Sequence, residues 1–207
     1  GSESLAGQYS AESRSVDQFT YDYPAFLVLF SAGDYSDSGI TSPSTAKNVL
    51  SIGSSSTGSY DSEGIGVVSN FSSIGPTLDG RIKPDLVAPG QMICSARAAE
   101  AALATGSNCS EALHSDGMTP QYMALSGSSM ATPVVAGAAA MARQFLREQI
   151  SEPISEPRSD LIKALLVNGA DDLGDLDIPN EREGWGQINI SNSLYPNNNT
   201  TSVFFDT

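Results

Sequence analysis

Ser126-Gly127-Ser128-Ser129-Met130-Ala131-Thr132-Pro133-Val134-Val135-Ala136-Gly137 is the stretch on which the reading of this chain turns. A serine between a glycine turn and a long helix of small residues is placed for nucleophilic attack, because the turn exposes its hydroxyl and the helix N-terminus favours developing negative charge. Ser129 is read as that serine. Gly127 permits a close approach at the helix start, Ser128 or Ser129 can cap it, and Pro133 is expected in the first turn, where its missing N–H costs no bond. The helix is expected to run to about Gln149. Its first half is nearly all Ala, Gly, Val and Met, apolar on every side, as in a helix buried at the centre of a domain. Charge appears only at Arg143, Arg147 and Glu148. Taken alone, the stretch also fits a buried helix entrance with no chemistry.

Working upstream, Tyr122 to Leu125 reads as the short strand that delivers the chain to the serine. Phe26-Leu27-Val28-Leu29-Phe30 is a continuous apolar run, the pattern of a strand buried on both faces in a parallel sheet. It ends in Ser31-Ala32-Gly33-Asp34, and ligands bind at the carboxyl ends of such strands. Val49 to Gly53 is a second buried strand, and Ser54 to Gly64 reads as a loop. Ala11 to Tyr23 fits a short amphipathic helix with Val16 and Phe19 on one face. Pro84 and Pro89 bracket a short strand. Downstream, Ser151 to Pro157 repeats a Ser-Glu-Pro pattern and reads as an exposed linker. Arg158 to Asn168 reads as a helix with Leu161, Ala164 and Leu165 facing in and Gly169 as its cap. Ser202 to Asp206 alternates like an edge strand.

The chain has 207 residues, enough for one domain or the larger part of one, and a formal charge of −14. Nucleic acid and anionic membranes are therefore poor partners. No apolar run approaches the length of a membrane span, and no secretory signal opens the sequence, so the chain is read as mature, processed or a piece of something longer. Cys94 and Cys109 would close a short loop, contributing about 3 kcal/mol in the chain-entropy picture if paired in an oxidising compartment. Sequons at Asn70, Asn108, Asn189, Asn198 and Asn199 decide nothing in a chain so rich in Asn and Ser.

Gly127-Ser128-Ser129-Met130-Ala131-Thr132-Pro133 resembles the Gly-Thr-Ser-Met-Ala-x-Pro signature of subtilisin-like serine proteases. Phe26 to Asp34 is similar to the family strand ending in Ala-Gly-Asn. Phe71-Ser72-Ser73-Ile74-Gly75-Pro76, Lys83-Pro84-Asp85-Leu86-Val87-Ala88-Pro89-Gly90 and Gly184-Trp185-Gly186-Gln187-Ile188-Asn189 resemble further family segments, in family order. The Asp79 to Asp85 form looks closest to bacterial alkaline subtilases with a C-terminal β-barrel.

The resemblance implies an α/β fold, a mostly parallel sheet flanked by helices and incomplete at the N-terminus. Residues 1–207 would be the C-terminal, nucleophile-bearing two-thirds of a peptidase domain. It implies a secreted or extracellular endopeptidase acting on protein or peptide substrates, with Ser129 as nucleophile and Ser128 as an auxiliary hydroxyl near the oxyanion. Gly1 would fall in one wall of the specificity pocket, Ser31, Ala32 and Gly33 in the other, and Gly127 in the adjoining turn. No cofactor is required for such chemistry. Structural calcium in the loops at 34–39 or 171–177 would suit the family, although acidic loops in so acidic a chain are more often solvated, and no metal ligand is assigned.

Two departures matter. A serine attacks a carbonyl only when a base takes its proton and a carboxylate orients that base. The sole histidine, His114, lies in a polar loop shortly before Ser129, out of the family order, so the catalytic Asp and His are expected from outside this chain, from an N-terminal part of the same protease. In addition, Asp34 stands where the family has an Asn that donates to the oxyanion. An ionised Asp can only accept, which implies an enzyme that is acid-working, that raises the Asp34 pKa by burial, or that is slow. The alternative is a pseudoprotease or peptide-binding module that keeps the fold without turnover.

Overall fold

The computed structural model describes residues 6–58, 64–99, 107–109, 117–118, 120–150, 153–174 and 176–195. Gly1, His114 and the strand expected at 202–206 lie outside these residues. In chain order the elements are α1 (Ala11–Asp22), β1 (Leu29–Ser31), β2 (Leu50–Thr57), β3 (Ile65–Val68), β4 (Leu86–Pro89), β5 (Ile93–Ala96), β6 (Ser107–Asn108), β7 (Tyr122–Leu125), α2 (Ser128–Glu148), α3 (Ser159–Asn168) and α4 (Ile190–Leu194).

The fold is α/β. β2 is the centre of the main sheet, pairing in parallel with β1 (Leu29 opposite Leu50) and with β4 (Ile52 opposite Leu86), and antiparallel with β3. A second, wholly antiparallel sheet has β7 between β5 and β6. The parallel character thus belongs to the main sheet alone. Cys94, on β5, is bonded to Cys109, just past β6, so the expected pairing is present and fastens the outer strands on either side of β7.

The core lies between the main sheet and α2. Leu50, Ile52, Leu86 and Ala88 meet Ala131, Val135, Ala138, Ala139, Ala142 and Leu146, with Ile162, Leu165 and Leu166 of α3, Ile154 and Leu194 completing the cluster. Each fully buried Val or Leu here contributes roughly 1.5–3 kcal/mol. The spacing of the buried α2 positions follows one helix face only. The helix expected to be buried all round is therefore covered on one side, with Val134 39% and Met141 53% exposed. It also starts at Ser128, so Pro133 falls in the second turn and withholds the N–H that would have bonded the Ser129 carbonyl.

Other differences have local causes. β2 continues through Ser54, Ser55 and Ser56, read from sequence as loop, because their burial is accompanied by partners. The Ser54 and Ser69 hydroxyls are 3.0 Å apart, and Ser55 Oγ donates to Gln187 Oε1 at 2.6 Å. The inward face of α1 is polar, not the Val16/Phe19 face: Asp17 is buried and accepts the N–H groups of Lys47 and Asn48 and the Tyr9 hydroxyl. That carboxylate satisfies backbone donors on the approach to β2. β1 begins three residues later than expected and is only half-buried, with Phe26 57% exposed. In α3, Ile162, Leu165 and Leu166 face in while Ala164 is exposed. Gly169 caps that helix as expected, and Ser193 packs where a side chain at this position would stand.

Candidate active site

β1 and β7 deliver two chain ends to the start of α2. Gly127, the residue before the helix, has φ 154°, in the region that favours glycine, and supplies no side-chain cap. Its N–H donates to Gly90 O at 2.8 Å, and Gly90 has no room for a side chain: a Cβ there would meet Gly127 O at 2.8 Å and Ala131 Cβ at 3.0 Å. The exit of β4 is thereby pressed against the turn that holds Ser129. The sequence offered Gly90 only as the end of the Lys83–Gly90 segment, with no role in the site.

Ser129 is exposed, and within the described residues neither its N–H nor its Oγ makes a hydrogen bond. Ser128 beside it is fully buried. The Ser128 N–H donates to Asp34 Oδ1 at 2.7 Å, and the Gly33 N–H donates to Ser128 Oγ at 3.2 Å. Asp34 Oδ2 lies against Gly127, 3.1 Å from where a Cβ would be. The structure therefore brings Gly33, Asp34, Gly127, Ser128 and Ser129 together. Asp34 is exposed, in place of the burial considered from sequence.

Of the residues expected to wall a pocket, Ala32 and Gly33 have their backbone groups engaged. Ala32 O accepts from Thr41 N–H and Oγ1, and Gly33 O accepts from Ser73 N–H. Ser31 is half-buried, and its backbone faces away from β2 with no hydrogen bond to a described residue. Thr41 and Ser73 buttress Gly33; Thr41 carried no sequence signal, and Ser73 only its place in the Phe71–Pro76 segment. Among the described residues no group of three or more His, Cys, Asp or Glu could hold a metal ion, and the Asp171 oxygens are engaged by the Asn189 and Asn192 amides. No described helix is long and apolar enough to cross a membrane.

Residues 1–186 match the Peptidase_S8 profile, described as the subtilase family. The chain belongs to the subtilase family. This subtilase is 36% identical to the serine protease AprX of Bacillus subtilis over 155 residues, covering 75% of the chain and 31% of AprX. It is 27% identical to the serine protease/ABC transporter B family protein tagD of Dictyostelium discoideum, covering 91% of the chain and 15% of tagD. Among solved structures it is similar in fold to the prenylagaramide maturation protease PagA, with TM-score 0.63 and 21% identity over 87% of the chain and 54% of PagA. The chain thus spans about half of that neighbour and less than a third of either relative.

The Lys83-Pro84-Asp85 string of this subtilase is a structural tie at the entry of β4, away from the turn that holds Ser129. Asp85 accepts from Lys83 Nζ at 2.5 Å, Lys163 Nζ at 2.7 Å and the Ser51 N–H at 2.7 Å. Burial pushes the Lys83 ammonium down to about 8, against the opposing pull of Asp85. Burial raises the Asp85 carboxyl, but the charges of Lys83 and Lys163 outweigh it and hold the group below its ordinary value.

Proposed function

We propose that this chain is the nucleophile-bearing part of a secreted subtilisin-like serine endopeptidase acting on protein or peptide substrates. The observation that carries the reading is Ser129, exposed and unbonded at the first turn of α2. In the reaction Ser129 Oγ attacks the peptide carbonyl and its proton passes to a base. The amine leaves with a proton from that base, and water then hydrolyses the acyl-serine. The Ser129 N–H is one donor to the oxyanion, Asp34 stands at the position of the other, and Ser128 is the auxiliary hydroxyl. Ser31 offers the free backbone for an extended substrate, beside Ala32, Gly33 and Gly127, with Gly1 assigned to the opposite wall. The chemistry needs no cofactor.

The catalytic Asp and His come, in this reading, from a further part of the protease. Two features support it. A groove of about 540 Å³ runs along α2, apolar where Phe26, Leu29, Ala136 and Ala140 line it and polar further along the helix at Arg143, Gln144, Arg147 and Glu148. The Leu29 and Ser31 backbones also form an open strand edge there. Apolar helix residues beside a strand with one open edge fit an added parallel strand with its own helix. The Cys94–Cys109 disulfide supports an extracellular location.

The test is a fluorophosphonate probe applied to the protein at its native length, beside Ser129→Ala. The expected result is phosphonylation of the Ser129 peptide, absent in the variant, together with peptide hydrolysis. Absence of label in the native-length protein would overturn the endopeptidase reading in favour of the fold kept without turnover.

A further inference from the structure

A helix leaves its first N–H groups without intrahelical partners, and the residue before it normally supplies a side chain to one of them. Gly127 cannot. In α2 the N–H groups of Met130 and Ala131 both reach back to Gly127 O, at 2.9 and 3.3 Å, and that of Ser129 stays open. The Ser128 N–H is satisfied by Asp34, from the loop after β1. A second bond ties the same two segments in the reverse sense, Gly33 N–H to the buried Ser128 Oγ. Asp34 is thus a cap supplied from another part of the chain, with one oxygen on the helix and the other against Gly127.

An ionised carboxylate at this end of a helix is held by the helix charge. The same location, one residue from Ser129, is where an oxyanion would gather donors. Two negative charges sharing one donor cluster oppose each other. We propose that Asp34 is an autoinhibitory occupant of the anion seat at the start of α2: it stabilises the fold and restrains Ser129 in the same act. This rests on the reading of Ser129 as the nucleophile.

Stability and reactivity are then set against each other. Asn at position 34 keeps an oxygen for the Ser128 N–H and replaces the second oxygen with an N–H donor. Ala removes both the cap and the charge. The experiment compares fluorophosphonate labelling of Ser129 at neutral pH, and melting temperature, in the native-length protein, Asp34→Asn and Asp34→Ala. Labelling exchanges the P–F bond of the probe for an Oγ–P bond, releasing fluoride while the hydroxyl proton passes to the base. The expected order of labelling is Asn, then Ala, then wild type. Asn should exceed wild type by about 10²-fold, the usual effect of one oxyanion donor. The expected melting order is wild type and Asn together, then Ala.

Labelling of the wild type as fast as, or faster than, Asp34→Asn overturns the proposal while leaving Ser129 as the nucleophile. Failure of Ser129 to label in all three proteins overturns both. If Asp34→Ala does not fold, the ratio of Asn to wild type decides alone, since Asn retains the cap.

Discussion

Asp34 and Ser128 are ninety-four positions apart in the chain, yet the carboxylate of one accepts the backbone N–H of the other at 2.7 Å. The helix carrying the candidate nucleophile is therefore fastened at its first residue to the end of β1. Asp34→Ala is expected to lower stability by about 0.5–2 kcal/mol in urea unfolding, the range for loss of a helix cap. A midpoint unchanged from wild type would mean that the bond contributes nothing in solution.

Asp85→Ala leaves the Lys83 ammonium buried without its carboxylate, while Lys163 reaches the same place from α3. Breaking a buried pair on one side costs about 3–5 kcal/mol, so this variant should be among the least stable single changes in the chain. Circular dichroism during thermal unfolding would reveal it.

The same cluster sets a pH dependence. With Lys83 held to about 8, the folded state binds fewer protons than the unfolded state between that value and 10.5. Stability from this group therefore rises with pH across that window. Asp85, held below its ordinary value, contributes stability above pH 3.8 that is lost as pH falls through its lower folded value. Urea midpoints measured from pH 8 to 10 should rise less in Lys83→Met than in wild type, and parallel slopes would refute the assignment.

The Cys94–Cys109 bond closes a loop with a sequence separation of 15. Replacing both cysteines with serine should cost about 3 kcal/mol, and reductant should produce a similar loss in wild type but none in the double variant. Intact mass before and after reduction identifies the species compared.

Gly90→Ala is a steric test of the site's support. The new methyl group would meet Ser54 Oγ at 2.5 Å as well as Gly127 O, so backbone must shift. A loss of about 1–3 kcal/mol is expected, with faster amide exchange in the first turn of α2. Unchanged exchange there would show that the turn is held by other contacts.

The strongest sequence signals were those carried by neighbours in the chain. Gly127 to Pro133 announced a turn and a helix, and both are present with Ser129 at the exposed position. The Ala32-Gly33-Asp34 ending was legible as a strand terminus that approaches the serine. What escaped was settled by contacts distant in sequence. Ser54 and Ser55 look like loop until Ser69 and Gln187 are seen to satisfy them. Asp17 looks like a solvated helix residue until Lys47 and Asn48 present their N–H groups. The apolar face of α2 through Val134 and Met141 reads as interior, and composition alone cannot say which surface covers it. The carboxylate of Asp34 was legible as a departure, but its bond to Ser128 required the fold.

The serine-rich centre of β2 bears on how stability changes with temperature. Hydration of newly exposed apolar surface raises the heat capacity on unfolding, whereas exposure of polar groups lowers it. A central strand in which Ser51, Ser54, Ser55 and Ser56 are all buried releases hydroxyls where other sheets would release hydrocarbon. Four hydroxyls change the total by only a small fraction, so calorimetry should give a heat-capacity increment toward the lower end of the usual ~12–15 cal/mol/K per residue, with a slightly shallower dome of stability against temperature. Directional bonds at the middle of the sheet would leave this core slightly less susceptible to cold than one built on oil alone.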